Sequence, residues 1–181
     1  MWSVRNLTRI YLGSTGDFSV PGNYAGGGAR TGIFRPSTGM WSIRDLTRVF
    51  FGGSSDLPVP ADYSGDGADD IAVFRPSAGL WSVRNLTRVY LGSAGDQIVP
   101  ADYDGDADDD PAIFRASSGM WSVRNLTRIF FGQSTDQAVP AAFSGSTTDN
   151  FAVFRSSTGL WSVKDSTRVY LGSTGDYPVT R

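Results

Sequence analysis

Residues 98–132 read IVPADYDGDADDDPAIFRASSGMWSVRNLTRIFFG, and this stretch decides the fold, because the chain is built of little else. Its second half opens at Trp121. The same phrase opens at Trp2, Trp41, Trp81 and Trp161, with successive Trp residues 39, 40, 40 and 40 positions apart. Its first half recurs as VPGNYAGGGARTGIFRPSTGM from Val20, VPADYSGDGADDIAVFRPSAGL from Val59 and VPAAFSGSTTDNFAVFRSSTGL from Val139. The repeat covers all 181 residues, so positions 1–181 are expected to form a single repeat domain without a linker.

Within the quoted unit four short strands are expected: Ile98–Tyr103, Ala112–Arg115, Met120–Arg124 and Thr127–Phe131. They are divided by Asp/Gly, Ser-Ser-Gly and Asn-Leu turns. Ala-Ile-Phe is apolar on both faces of its strand, which needs cover on both sides, and radially stacked sheets supply it. Four strands per unit of this length is the blade pattern of an all-β propeller. A solenoid or open array is the alternative. The chain starts with third and fourth strands (Trp2–Leu12) and ends at Tyr177–Arg181, which matches a first strand. Five blades with one shared between the termini are therefore expected. Exchange of terminal strands between copies, giving a homo-oligomer, is the alternative for that incomplete blade.

Composition agrees. All 18 acidic residues are Asp, 15 of the 16 basic ones are Arg, and Glu is absent, which is not the alphabet of long helices. With no Cys and no His there is no thiolate nucleophile, no Ser-His-Asp triad and no imidazole-bound metal. A net charge of −2 gives no global pull toward nucleic acid, and no apolar run is long enough to span a membrane. Paired catalytic carboxylates would need one raised and one ionised acid. Asp residues crowded in a Gly-bearing loop suit a cation better, because the ion offsets their repulsion. The chain is expected not to be an enzyme.

Two recurrences carry a choice. The repeated Trp is expected in the core, because it shares a face with Val in Trp-Ser-Val; the other reading is a sugar platform. Arg35, Arg75, Arg115 and Arg155 end each second strand, Arg9, Arg48, Arg88, Arg128 and Arg168 start each fourth, and Asp17, Asp56, Asp96, Asp136 and Asp176 stand before the first strands. One Arg–Asp bridge per unit is expected, against a ring of Arg that grips a carboxylated or sulfated sugar. Asn6-Leu-Thr8, Asn85-Leu-Thr87 and Asn125-Leu-Thr127 match the glycosylation pattern, but they also fit a tight turn.

The segment Asp102-Tyr-Asp-Gly-Asp-Ala-Asp-Asp-Asp110, followed by Pro111-Ala-Ile-Phe-Arg115, resembles the FG-GAP/VCBS-type repeats of bacterial extracellular proteins, related to integrin-α blades. Asp62-Tyr-Ser-Gly-Asp-Gly-Ala-Asp-Asp70 with Ile71-Ala-Val-Phe-Arg75 matches nearly as well. The resemblance implies a calcium-bound propeller for adhesion or glycan binding, or an accessory domain, in a secreted or cell-surface protein. Met1 stands directly before the first Trp, so no export signal is read in this chain. Asp102, Asp104, Asp106 and Asp110 occupy loop positions one, three, five and nine, with Asp108 adding an oxygen. These hard ligands suit Ca²⁺. Asp62, Ser64, Asp66 and Asp70 form a weaker set. The loops at 23–31 and 142–150 have lost most of the acids, and Arg30 brings a cation. Two functions stay open: a module that binds glycan or protein, or a structural repeat scaffold with no small ligand.

Overall fold

The computed structural model describes residues 2–4, 8–143 and 145–178, with side chains from residue 11 onward. It is all-β, with four antiparallel four-stranded sheets. A two-stranded hairpin, β1 (Trp2–Val4) and β2 (Thr8–Ile10), precedes them. The first sheet runs β3 (Phe18–Ser19), β4 (Gly32–Arg35), β5 (Met40–Ile43) and β6 (Thr47–Phe50). The second holds β7 (Leu57–Pro58), β8 (Ala72–Arg75), β9 (Leu80–Val83) and β10 (Thr87–Tyr90). The third holds β11 (Gln97–Ile98), β12 (Ala112–Arg115), β13 (Met120–Val123) and β14 (Thr127–Phe130). The fourth holds β15 (Gln137–Ala138), β16 (Ala152–Arg155), β17 (Leu160–Val163) and β18 (Thr167–Tyr170). Each is a meander in chain order.

The second, third and fourth strands of each unit fall within a residue of the sequence expectation. The first does not. Ile98–Tyr103 was expected as one strand, yet regular pairing stops at Ile98. Pro100 is the reason, since a residue without an N–H cannot continue the ladder. The chain nevertheless stays alongside β12. Val99 N–H donates to Ala112 O at 3.0 Å, and Ala101 bridges Asp110. The same break follows Val20, Val59 and Val139, each standing before a Pro.

Two compact units are present, residues 1–90 and 91–181. In the first, Val20, Phe34, Trp41 and Ile43 form one face of the first sheet, and Val73 of the second sheet packs into them. Gly52 keeps that approach open: a Cβ there would lie 2.9 Å from Val73 Cγ1, and its φ of +90° suits Gly alone. In the second unit Val153 of the fourth sheet packs in the same way against Phe114, Trp121 and Val123 of the third. Phe151 stacks on Tyr103 with ring centroids 4.9 Å apart and meets Trp121 edge-on at 5.4 Å. So within each unit the aromatic face of one sheet is covered by the β-branched face of the next. The proposed closing segment Tyr177–Arg181 lies partly outside the described residues, as does Asn6-Leu of the first glycosylation-like tripeptide. Among the described residues no helix is long and apolar enough to cross a membrane.

Candidate cation site

Most of the recurring residues are structural. Trp41, Trp81 and Trp121 are fully buried. The indole N–H of Trp41 donates to Phe51 O at 3.1 Å and that of Trp121 to Phe131 O at 2.9 Å, so their one polar group is satisfied internally. As wall residues of a closed core they have no face left for a sugar.

The Arg–Asp pairs form in every complete unit. The guanidiniums of Arg35, Arg75, Arg115 and Arg155 each donate twice, to both oxygens of Asp17, Asp56, Asp96 and Asp136, at 2.7–3.0 Å. The carboxylates are nearly inaccessible while the arginines are partly exposed. Each carboxylate also accepts a backbone N–H from the preceding turn, Ser14, Gly53, Ser93 and Gln133 respectively. The Arg35 hydrogen bond holds the Asp17 carboxyl below its usual range. Burial alone would push Asp96 up, but the Arg115 hydrogen bond and charge together outweigh it and the net shift is downward. The inner arginines therefore serve the fold and are not a ligand ring.

The turn between third and fourth strands explains the glycosylation-like tripeptides. Asn85 and Asn125 take φ of 61° and 57°, and Asp45 and Asp165 do the same at 56° and 57°. Asn and Asp tolerate this left-handed conformation better than other side chains.

What remains is the loop between the first and second strands. In the third unit the Ala101–Asp110 bridge closes its base, and the acids fold inward by capping their own backbone. Asp102 accepts the Gly105 N–H at 2.6 Å on Oδ1 and the Ala107 N–H at 3.1 Å on Oδ2. Asp104 accepts from Asp106 N–H at 3.2 Å, and Asp106 from Asp108 N–H at 3.1 Å. These Asx turns bring one carboxylate oxygen each from Asp102, Asp104 and Asp106 within 4.8 Å of one another. Asp108 and Asp110 lie outside that triplet but within its field. Burial, and then Asp106, Asp104 and Asp102, push the Asp108 carboxyl up. Asp110 is pushed to about 6 by burial, with Asp104, Asp108 and Asp106 adding to it against the Tyr103 N–H. Crowding of this kind is offset by a bound cation. Carboxylate oxygens are the ligand type of hard divalent cations, and three of them converge here.

The second unit's loop is a thinner version. Asp62 accepts N–H groups from Asp66 at 3.2 Å and Gly67 at 2.7 Å, and the Ser64 hydroxyl lies 3.4 Å from its Oδ1. Asp70 Oδ2 is buried and has no hydrogen-bond partner. Burial raises the Asp70 carboxyl, with Asp66 and Asp62 adding to it, while the Ser64 hydroxyl and Tyr63 N–H pull the other way. A divalent ion would satisfy that oxygen.

Two features escaped the sequence reading. Asp69 joins neighbouring loops: its Oδ2 accepts the Asn23 N–H at 2.7 Å, and its own N–H donates to Asn23 O at 3.0 Å. Asp149 N–H reaches Asp102 O at 2.7 Å in the other unit. The second feature is a row of exposed aromatics, Phe50, Tyr90, Phe130 and Tyr170, at the last position of each outer strand. Strand alternation was the available signal, since Thr-Arg-Val-Phe puts Arg and Phe on one face. Comparison with known protein families, curated proteins and solved structures finds no match for the chain.

Proposed function

We propose that the chain is a non-catalytic, calcium-stabilised β-propeller of the FG-GAP/VCBS type that serves as a binding module for glycan or protein on a cell surface or in a secreted protein. The observation that carries it is the convergence of Asp102, Asp104 and Asp106 within 4.8 Å on a hydrogen-bonded loop. In this reading Asp102, Asp104, Asp106 and Asp110, with an oxygen of Asp108, hold the ion of the third unit. Asp62, Ser64, Asp66 and Asp70 hold that of the second. Bound Ca²⁺ supplies charge balance and rigidity, and the loops position the sheets they connect. The stacking of one sheet's aromatic face on the next sheet's Val73 or Val153 supports radial blades. The β1–β2 hairpin, with the C-terminal segment, would belong to the fifth.

Titration calorimetry with CaCl₂ tests the reading. Up to two sites are expected, with MgCl₂ weaker and with the melting temperature lowered by chelator. No heat with Ca²⁺ and an identical melt in chelator would remove the cation from the function. The purely structural scaffold is the second reading. It is favoured by the burial of the Trp indoles and the pairing of Arg35, Arg75, Arg115 and Arg155, which leave neither recurrence for a ligand. Silence across a broad glycan array from a stably folded protein would select it.

A further inference from the structure

The net charge of −2 conceals a segregation. Eleven of the 18 acids lie in the four loops between first and second strands, with Arg30 the one cation among them. Ten of the 16 cations lie in the five segments that run from the repeated Trp through the fourth strand, with only Asp45 and Asp165 against them. Arg44 and Lys164 are taken up by those two acids. The outer-strand arginines are different. In the first unit Arg48 and Arg88 are exposed, and among the described residues no ion pair holds them. Arg128 and Arg168 match them in the second unit.

Each of these arginines stands two positions before the exposed aromatic, so the two side chains leave the strand on one face, ~7 Å apart. Those aromatics are 68–74% exposed and recur at the same position of all four sheets. The register adds a third element. Tyr90 pairs with Leu80 and Leu80 with Arg75, so a half-buried apolar residue and the aliphatic stem of the Asp56-paired Arg75 lie behind the ring. Phe130, Met120 and Arg115 repeat it. The acid loop joins the first and second strands, two to three strand spacings away or ~10–14 Å, which exceeds the screening length of about 8 Å at physiological salt. The outer strand thus presents a positive, aromatic surface that the acid loops do not cancel.

We propose that these outer strands are the ligand surface of the binding module proposed above, and that the ligand is an acidic polysaccharide. The aromatic ring would lie against the apolar face of a sugar, and the guanidinium two residues earlier would pair with its carboxylate or sulfate in a two-pronged hydrogen bond. A site repeated in equivalent form on every sheet suits a ligand that is itself a repeat, because linked weak contacts add avidity.

Affinity electrophoresis through gels containing polygalacturonate, dextran sulfate or neutral dextran tests the proposal, run with Ca²⁺ and again with chelator so that ion bridging is separated. Retardation is expected in one or both acidic gels and not in dextran; the two acidic arms distinguish carboxylate from sulfate. The variant R48Q/R88Q/R128Q/R168Q, with an unchanged melting temperature, is expected to lose at least tenfold in affinity. F50S/Y90S/F130S/Y170S is expected to lose a similar amount while keeping the arginines. Retardation that survives both variants, or none in either acidic gel, overturns the proposal. So does tighter binding of an oligothymidylate, or dimerisation by light scattering that the Arg variant abolishes without any polysaccharide binding. Retention of a neutral glycan by the Arg variant would leave the binding-module reading standing and remove this surface from it.

Discussion

The third and fourth repeats carry almost the same phrases and end in different environments. Trp121 is fully buried, whereas Trp161 is half-buried. Trp121 meets Phe151 and sits in a cluster that Val153 of the next sheet completes. Among the described residues, the cluster around Trp161 is made of its own unit's residues, Val139, Ala152, Phe154 and Val163. The loops differ as well. Ala141 bridges Asn150 just as Ala101 bridges Asp110, so the fourth loop closes the same base with Ala142 and Ser146 in place of acids. The carboxylates of the third loop are therefore not required to close its base. Their mutual repulsion is a cost that the fourth loop, closed by the same bridge, does not carry.

Four experiments bear on this contrast, from the largest effect to the smallest. Trp121→Ala is expected to cost ~3–5 kcal/mol in urea unfolding, and Trp161→Ala less than half as much, because less packing is lost. Equal losses would show that the fourth aromatic face is as well covered as the third. Next, Arg155→Met leaves Asp136 buried without its cation and is expected to cost ~2–3 kcal/mol, more than exposed salt bridges do. The pairs also set the acid limit. Asp17 and Asp96 titrate below the unfolded value of 3.8, so their stabilisation is complete above that pH and is lost as pH falls through their folded values. Thermal melts should hold level from pH 7 to 5 on this account and drop below about pH 4. A melt insensitive to acid would mean that these bridges contribute nothing.

The third experiment moves the acids. D102N/D104N/D106N should abolish the calcium-induced rise in melting temperature, and A142D/S144D/S146D should create a new calorimetric site in the fourth loop. The shifts are a few degrees, since 1 kcal/mol moves a protein of this size by about 2–4 °C. A grafted loop that stays silent would mean that convergence depends on more than the acids. The smallest effect concerns Ala107, which holds φ at +77° where the second unit has Gly67 at +84°. Ala107→Gly should stabilise by ~0.5–1 kcal/mol and Gly67→Ala should destabilise by a similar amount, read from chemical denaturation.

Much of this was legible beforehand. Local rules place Ala112–Arg115, Met120 onward and Thr127 onward in strands, because alternation and turn residues act over a few positions. The same holds for the Arg–Asp pairs, since every unit repeats both partners at the same spacing. The first strand was overdrawn because Pro100 removes a donor that the apolar run did not advertise. The link from Asp69 to Asn23 was out of reach, as it joins loops 46 residues apart.

The sequence by itself determined an all-β repeat, its strand boundaries within a residue or two beyond the first strand, and which loops carry clustered acids. Those depend on period, turn chemistry and residue type, which are local. Tertiary structure decided the roles of the recurrences. Trp121 is core because Phe151 and Val153 of another sheet cover it, and Arg115 is structural because Asp96, 19 residues away, takes both of its prongs. It also decided that Phe50 and Arg48 face water. Burial is set by what packs against a residue, and the one-dimensional pattern cannot tell a covered face from an open one.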